Sequence, residues 1–522
     1  MIFTQEQELI FNANDDIMLI EAVAGSGKTT TLFEYIKRHP KEKFLYLVFN
    51  KKMKEDAHEK KMKLNIPNVE VSTIHSFCLR NRITPLKNKE IKNISVHEIA
   101  QKLNLKIDIV KEYISIYNLF LNSEYLATDL DQFIESYLQE LLISINNVST
   151  KEVKDEIPEN LQRGIKKFII QLLKGMASGN ISRNFDFILK DFHCYADTIN
   201  KYNTILIDEA QDINPVMFEI IQTKFPNSKK IFVGDSFQQI YMWRGAINSL
   251  NKVNGTKYSL TNSFRIGKDI ENIVKNFYKE NNVSIELTGT NSKNIVVPNV
   301  NQNEKFTFLA RANSTLILFA LENLHKKIHI PENIKFDILM DVYKFWAFSD
   351  KNKNQSLMPY KNFKELKEDN DKGIIFDNEL SLSIMLVDKY EYDIPEIIDN
   401  LKDVAVKDMK NADIILMTAH STKGLEFEKV IVADDFISME KINEKRERLE
   451  LEIKATKSIK RKKRLKKMLE KMLESIQEEF NVKYVAYTRS FGEIELDYPL
   501  DVQESKVDFS LSFGSFLNLE DE

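Results

Sequence analysis

The stretch Ala22-Val23-Ala24-Gly25-Ser26-Gly27-Lys28-Thr29 constrains this chain more than any other. An apolar run, Ile17–Ile20, precedes it, and a helix-like segment, Thr30–Ile36, follows. Strand, small-residue loop and helix is the context a phosphate loop needs, because the loop amides and the helix N-terminus then point at one anion. In that arrangement Ala22, Gly25, Ser26, Gly27, Lys28, Thr29 and Thr30 surround the phosphates of a nucleotide. Lys28 lies on the β- and γ-phosphates and the Thr29 hydroxyl holds Mg2+. Ala22 stands where the pattern has its first glycine, and a small side chain there preserves the spacing. Such a loop implies a nucleoside triphosphate without saying what work is done with it.

The loop belongs to a chain too long for one core. At 522 residues and about 150 residues per domain, three or four domains are expected. Over residues 1–84 short apolar runs, Ile17–Ile20, Phe44–Phe49 and Val69–Val71, alternate with helical patterns, which reads as a parallel α/β sheet. Residues 85–184 carry helical patterns alone, over Val96–Leu103, Ile109–Leu121, Phe133–Ile145 and Leu161–Met176, and read as an insertion. Strand signals return at Thr204–Ile207 and Lys230–Gly234, so 185–259 completes the first core. A second α/β core is expected over 260–313 and 413–510, with strands at Phe306–Ala310, Ile414–Met417 and Lys429–Ala433, around a mostly helical insertion at 314–412. A charge-dense helix at 441–479 lies within it. Its basic run, Lys460–Lys467, reads either as a solvated face or as an arm that contacts phosphates. An acidic tail, 511–522, closes the chain.

Lys and Arg number 74 against 78 Asp and Glu, a net charge of −4, so no global basic field advertises nucleic acid. Any such partner must be held in a local groove. Two cysteines, Cys78 and Cys194, exclude a disulfide framework or a cysteine zinc site and fit a reducing compartment. No run is apolar enough to cross a bilayer, and the first residues have no leader pattern. A cytoplasmic protein without a membrane partner is expected.

A second nucleotide signal is Ile205-Leu206-Ile207-Asp208-Glu209, an apolar strand ending in two carboxylates. This places Asp208 on the magnesium and Glu209 where it acts as general base on an attacking water. Downstream, Gln238 is placed to sense the γ-phosphate or that water. Tyr241, Trp243 and Arg244 then offer two π-faces and a guanidinium within four residues, a composition that stacks unpaired bases at about 1–3 kcal/mol each. A core position for Trp243 is the alternative.

In their order these segments resemble superfamily 1 helicases of the UvrD/Rep/PcrA kind, over nearly the whole chain. Phe3-Thr4-Gln5-Glu6-Gln7 is similar to the family's Q motif, which implies that Gln7 reads the adenine edge. Val48–Lys51 and Ser72–Phe77 are similar to its strand-contacting segments, implying Phe49, Asn50, Thr73 and His75 near the DNA. Leu260–Arg265 matches the segment in which Phe264 would stack on the base of ATP and Arg265 would touch its γ-phosphate. Met417–Phe427 resembles the fifth motif, with Thr418 and His420 facing DNA and Glu426 facing the ribose; His420 could equally be a buried, hydrogen-bonded histidine. Glu478-Glu479 with Tyr484–Arg489 resembles the sixth, implying Arg489 as an arginine finger. Asp377–Tyr390 with Ile394-Pro395 is most similar to the F-box DNA helicase branch and its prokaryotic relatives. Arg183–Lys190 matches that branch only loosely. No F-box is present in the sequence, and a ubiquitin-ligase role is not expected.

The resemblance implies an α/β fold of two RecA-like P-loop domains in tandem, each with a helical insertion, and ATP with Mg2+ in the cleft between the two cores. It implies a DNA-dependent ATPase moving 3′ to 5′ on single-stranded DNA and acting at single-strand/duplex junctions. A translocase that strips a recombinase or other DNA-bound protein, or a clamp gated by ATP, is the alternative. A small-molecule kinase leaves Tyr241, Trp243 and Arg244 and the second core unexplained.

Overall fold

The strands are built from β-branched, leucine and aromatic residues, and where these run without interruption the strand lies inside a parallel sheet covered on both faces. A computed structural model describes residues 2–82, 91–92, 95–146, 159–240, 248–331, 334, 336–349, 357, 360–371, 378–436, 439–456 and 459–499. The chain divides into two compact units, Met1–Thr261 with Ile453–Lys466, and Asn262–Glu452 with Lys467–Glu522.

The first unit is organised on strands β1 (Ile17–Ala22), β2 (Phe44–Val48), β3 (Val69–Thr73), β4 (Thr204–Ile207), β5 (Lys229–Gly234) and β6 (Thr256–Leu260), parallel throughout in the order β3-β2-β4-β5-β1-β6. All five residues of β2 are buried. Alternate residues serve opposite faces. Met18, Ile20, Phe44, Tyr46 and Val48 pack with helices α1 (Gln5–Phe11), α2 (Lys28–Arg38) and α3 (Lys51–Lys63). Leu19, Leu45, Leu47 and Phe232 pack with α4 (Ile74–Arg80) and with two later helices, Phe185–Tyr195 and Pro215–Lys224. Between α4 and those helices lie α5 (Val96–Leu103), α6 (Ile107–Asn122), α7 (Leu130–Asn146) and α8 (Glu159–Ser178), which gather a core of their own around Tyr117, Phe120, Phe168 and Leu172. The helix Phe185–Tyr195, α9, joins both cores: Phe187 enters the helical one, and Ile188, Leu189 and Phe192 the sheet-side one. α10 (Pro215–Lys224) and α11 (Ser249–Lys252) complete the unit.

The second unit begins with the short pair β7 (Asn262–Ser263) and β8 (Thr288–Gly289), separated by α12 (Lys268–Glu280). Its parallel sheet comprises β9 (Ile295–Val296), β10 (Phe306–Ala310), β11 (Ile328–His329), β12 (Ile414–Thr418), β13 (Phe427–Ala433) and β14 (Ser490–Tyr498), in the order β11-β12-β10-β13-β14-β9. Helices α13 (Asn313–Glu322), α14 (Phe336–Phe348), α15 (Phe363–Asp371), α16 (Asn378–Tyr390) and α17 (Ile394–Val404) fall in the 314–412 region. They share one core with the sheet, where Phe308 and Leu416 meet Val342, Ile384 and Ile398. The charge-dense segment is two helices, α18 (Met439–Ala455) and α19 (Ile459–Tyr487), where one was expected. The first ends beside Thr456, a β-branched residue of low helix propensity. Among the described residues no helix is long and apolar enough to cross a membrane.

Candidate functional site

The loop after β1 turns into α2 through two glycines in the left-handed region, Gly25 at φ 72° and Gly27 at φ 81°, where a side chain would be strained. Ala22, Val23 and Ala24 are buried beneath it. Lys28 Nζ donates to the Ala22 carbonyl at 3.4 Å. Ser26 is 2% exposed, and its hydroxyl has no hydrogen-bond partner among the described residues. An unpartnered buried donor beside two left-handed glycines and a helix start fits a loop shaped around an anion. Thr30, by contrast, has its hydroxyl engaged, accepting from Lys60 Nζ at 2.7 Å.

Carboxylates gather at the same C-terminal edge of the sheet. Asp208 and Glu209 follow β4, Asp235 follows β5, and Glu21 lies near the end of β1. Tyr46 donates its hydroxyl to Asp208 Oδ2 at 2.5 Å and is itself hydrogen-bonded to Thr29. The Asp208 Oδ1 atom accepts from the Glu209 N–H at 3.0 Å. Burial, and then the Glu209 charge, push the Asp208 carboxyl above its usual range, while Tyr46 and Lys28 pull it back. Glu209 takes a left-handed φ of 50°, a conformation costing a non-glycine residue about 1–2 kcal/mol. Gln211 Nε2 holds its Oε2 at 2.6 Å. Gln238 is buried and donates to Asp235 Oδ2 at 2.6 Å, and Asp235 is raised by burial. Glu21, raised by burial and then by Asp235, accepts from both the N–H and the hydroxyl of Ser236 at 2.7 Å.

This donor set fits a magnesium ion that completes its shell with phosphates and water. Among the described residues no three His, Cys, Asp or Glu side chains form a ready cage, and Mg2+ is commonly held by one or two carboxylates with the substrate's own oxygens. Thr29 and Asp208, joined through Tyr46, are the side chains that would hold it. Raised carboxyls around one lysine also leave room for a further positive charge. Sequence reading missed Tyr46, Glu21, Gln211 and Asp235. A carboxylate closing the apolar β1 was a visible signal for Glu21, whereas Tyr46 is hidden within an apolar run.

Gln7 is 3% exposed, and both ends of its amide are engaged. It accepts from the Thr4 N–H at 3.0 Å and donates to Thr31 Oγ1 at 2.9 Å, so an adenine contact requires exchanging one of these bonds. On the neighbouring strands, Val48 pairs with Thr73, which brings the segments after β2 and β3 to the same edge. Asn50 caps α3 through Met53 N–H, and Thr73 caps α4 through Ser76 N–H. Phe49 is half-buried. The His75 ring meets Phe185 edge-on at 5.6 Å, and burial lowers its pKa. Phe185 is 51% exposed at the start of α9. Tyr241, Trp243 and Arg244 lie outside the described residues.

In the second unit three distant segments converge. Arg265 donates from Nε to Glu426 at 2.9 Å and from Nη1 to the Thr488 carbonyl at 3.2 Å, while neighbouring Phe264 is 50% exposed. Arg489 is 1% exposed. Its guanidinium donates to the carbonyls of Val485 at 2.8 Å and Leu425 at 3.2 Å and to Thr488 Oγ1 at 3.1 Å. To reach a phosphate it must give up part of that cage. Thr418, at the end of β12, donates to Ser421 Oγ at 3.2 Å, and His420 is half-buried.

Comparison with known proteins gives two family matches. The UvrD/REP helicase N-terminal domain family matches residues 3–257, and the UvrD-like helicase C-terminal domain family matches residues 139–493. F-box DNA helicase 1 of Gallus gallus is 29% identical over 473 residues, covering 84% of this chain and 45% of that protein. F-box DNA helicase protein 1 of Schizosaccharomyces pombe is 26% identical over 533 residues, covering 93% of this chain and 56% of that protein. A probable DNA helicase of Mycoplasma pneumoniae is 23% identical over 459 residues, covering 82% of this chain and 74% of that protein. The chain spans about half the length of the two F-box relatives.

Proposed function

From a chain that belongs to the UvrD-like helicase family, we propose a DNA-dependent ATPase that moves 3′ to 5′ along single-stranded DNA and separates strands at junctions. The observation that carries the chemical part of this reading is the meeting of Lys28, Thr29, Tyr46, Asp208 and Glu209 at one edge of the first sheet.

Lys28 neutralises the terminal phosphates of ATP, and the loop amides orient them. Thr29 and Asp208 would hold Mg2+, which would supply positive charge to offset that of the phosphates. Glu209, with its carboxylate fixed by Gln211, takes the proton from the attacking water. Gln238 reports the state of the terminal phosphate through Asp235. Arg265 and Arg489 meet the charge that develops on the transferring group, as a guanidinium does in related phosphoryl transfers. Phe264 stacks on the base, with Gln7 and Glu426 on the nucleoside. Phe49, Asn50, Thr73, His75, Thr418 and His420 hold the DNA strand, and Tyr241, Trp243 and Arg244 stack on it. Bonds to the terminal phosphate exist before hydrolysis and not after, so each turnover shifts the population of conformations the strand experiences.

Duplexes carrying a 3′ or a 5′ single-stranded tail test this reading. With ATP and Mg2+, displacement of the complementary strand is expected from the 3′-tailed substrate alone. Equal displacement from the 5′-tailed substrate would overturn the polarity. DNA-stimulated turnover with displacement from neither would leave translocation without strand separation.

A further inference from the structure

The first turns of α19 carry an arrangement of charge that helix stability does not favour. Seven of the eight residues from Lys460 to Lys467 are Lys or Arg, and none is acidic, in a chain whose net charge is −4. The helix begins at Ile459, and its first turn contains no acidic residue. The N-terminal end of a helix already bears partial positive charge, so cations there weaken it. Like charges four residues apart weaken it further, and Lys460 precedes Arg464, Lys462 precedes Lys466, and Lys463 precedes Lys467 at that spacing.

A helix in the same chain shows what a merely solvated charged face looks like. In α3 the cations alternate with carboxylates, giving pairs at four-residue spacing: Lys51 with Glu55, Lys52 with Asp56, and Glu59 with Lys63. Of the seven basic residues at the start of α19, Lys466 alone has a carboxylate at that spacing, Glu470. Farther along, α19 returns to mixed charge, with Glu470, Glu474, Glu478 and Glu479. The basic block is therefore confined to one helix end. Lys462 and Lys466 are exposed.

A polyanion of regularly spaced charges would relieve both penalties, and the geometry points to the phosphodiester backbone of duplex DNA, gripped by the first turns of α19 as an arm outside the single-strand path. The choice of DNA rests on the function proposed above; the case for a polyanion rests on the helix alone.

The experiment uses the 522-residue chain and its K462E/K463E variant, whose new carboxylates lie four residues before Lys466 and Lys467. Two readouts move in opposite directions if the arm is real. Helix stability, read as the melting temperature, holds or rises, because carboxylates suit a helix N-terminus. Affinity for a 3′-tailed duplex falls at least about tenfold, and the slope of log affinity against log salt drops by about 2, near 0.9 for each phosphate the variant no longer neutralises. Turnover saturated by a short single-stranded oligonucleotide is unchanged. An unchanged slope on tailed duplex, alongside DNA-stimulated turnover in the parent chain, would overturn the arm and leave the proposed function standing. An equal loss on the short single strand would place the basic block in the strand path and overturn the proposal. A larger loss on duplex RNA than on duplex DNA would overturn the choice of DNA. Absence of DNA-stimulated turnover in the parent chain would count against the proposed function instead.

Discussion

Tyr46 places a single hydroxyl between the phosphate loop and the carboxylate expected to hold magnesium. It favours the ionised form of a buried acid that burial otherwise pushes toward neutrality. A hydrogen bond to a charged group contributes about 1.5–3 kcal/mol. Tyr46→Phe should therefore raise the Mg2+ concentration for half-maximal ATP turnover by about tenfold or more, with the fold intact. An unchanged magnesium requirement would detach Tyr46 from the site. A second residue, Glu271 on α12, has a side chain 3% exposed. Burial by itself would raise its pKa, but hydrogen bonds from Lys268, Lys275 and the Gly289 N–H outweigh that and hold it at about 2. An unfolded glutamate titrates near 4.3, so this carboxylate contributes stability above that value and loses it as pH falls toward 2. Glu271→Gln should cost about 1–3 kcal/mol at pH 7. In urea titrations the gap from the parent should narrow as pH drops below about 4.5. Lys28 with Thr29, and Asp208 with Glu209, could be proposed from the sequence because local spacing joins the members of each couple, whereas the fold brings the two couples to one sheet edge. Tyr46 and Gln211 could not, since one sits inside an apolar run and the other acts through a turn whose left-handed Glu209 no pattern announces.

Among the elements, α19 has the most consequential anchoring. Arg311, just past β10, makes a two-bond ion pair with Glu479, Nε to Oε2 at 2.9 Å and Nη2 to Oε1 at 2.6 Å. Asp435 accepts from the N–H groups of Arg311 and Ala312, tying the ends of β10 and β13 together. At 1.5 Å per residue the helix runs about 12 Å from Glu479 to its last turn, where Thr488 and Arg489 follow. The ion pair thus sets the axial position of the helix that delivers Arg489. Removing one partner of a fully buried pair costs about 3–5 kcal/mol, more than removing both, and this partly buried pair, with side chains 28% and 12% exposed, costs less. Arg311→Ala should destabilise the protein and lower kcat more than it raises KM for ATP. Adding Glu479→Ala should recover part of the stability, and a double variant no more stable than the single would argue against an isolated pair. Of the elements themselves, the central strands were legible because two-sided burial writes them as unbroken apolar runs. The edge strand β6, Thr256–Leu260, is mostly exposed and carries no such run. β14 was missed for a related reason: Ser490-Phe491-Gly492-Glu493-Ile494-Glu495 mixes polar and apolar residues, although Ile494 and Glu495 are buried.

Across the whole molecule, the proposed function draws on residues of both units. The phosphate loop, Asp208 and Glu209 belong to the first, whereas Arg265 and Arg489 belong to the second. Phosphoryl transfer needs both the cradle and the cations that meet developing charge, so turnover should depend on what both units bind. On the proposed reading turnover responds to DNA, and one comparison tests it directly: the ATP hydrolysis rate of the 522-residue chain without nucleic acid and with saturating single-stranded DNA, duplex DNA or RNA. Single-stranded DNA should raise the rate at least about tenfold over each of the other three, equivalent to about 1.4 kcal/mol of barrier. The same rate in all four conditions would contradict the account.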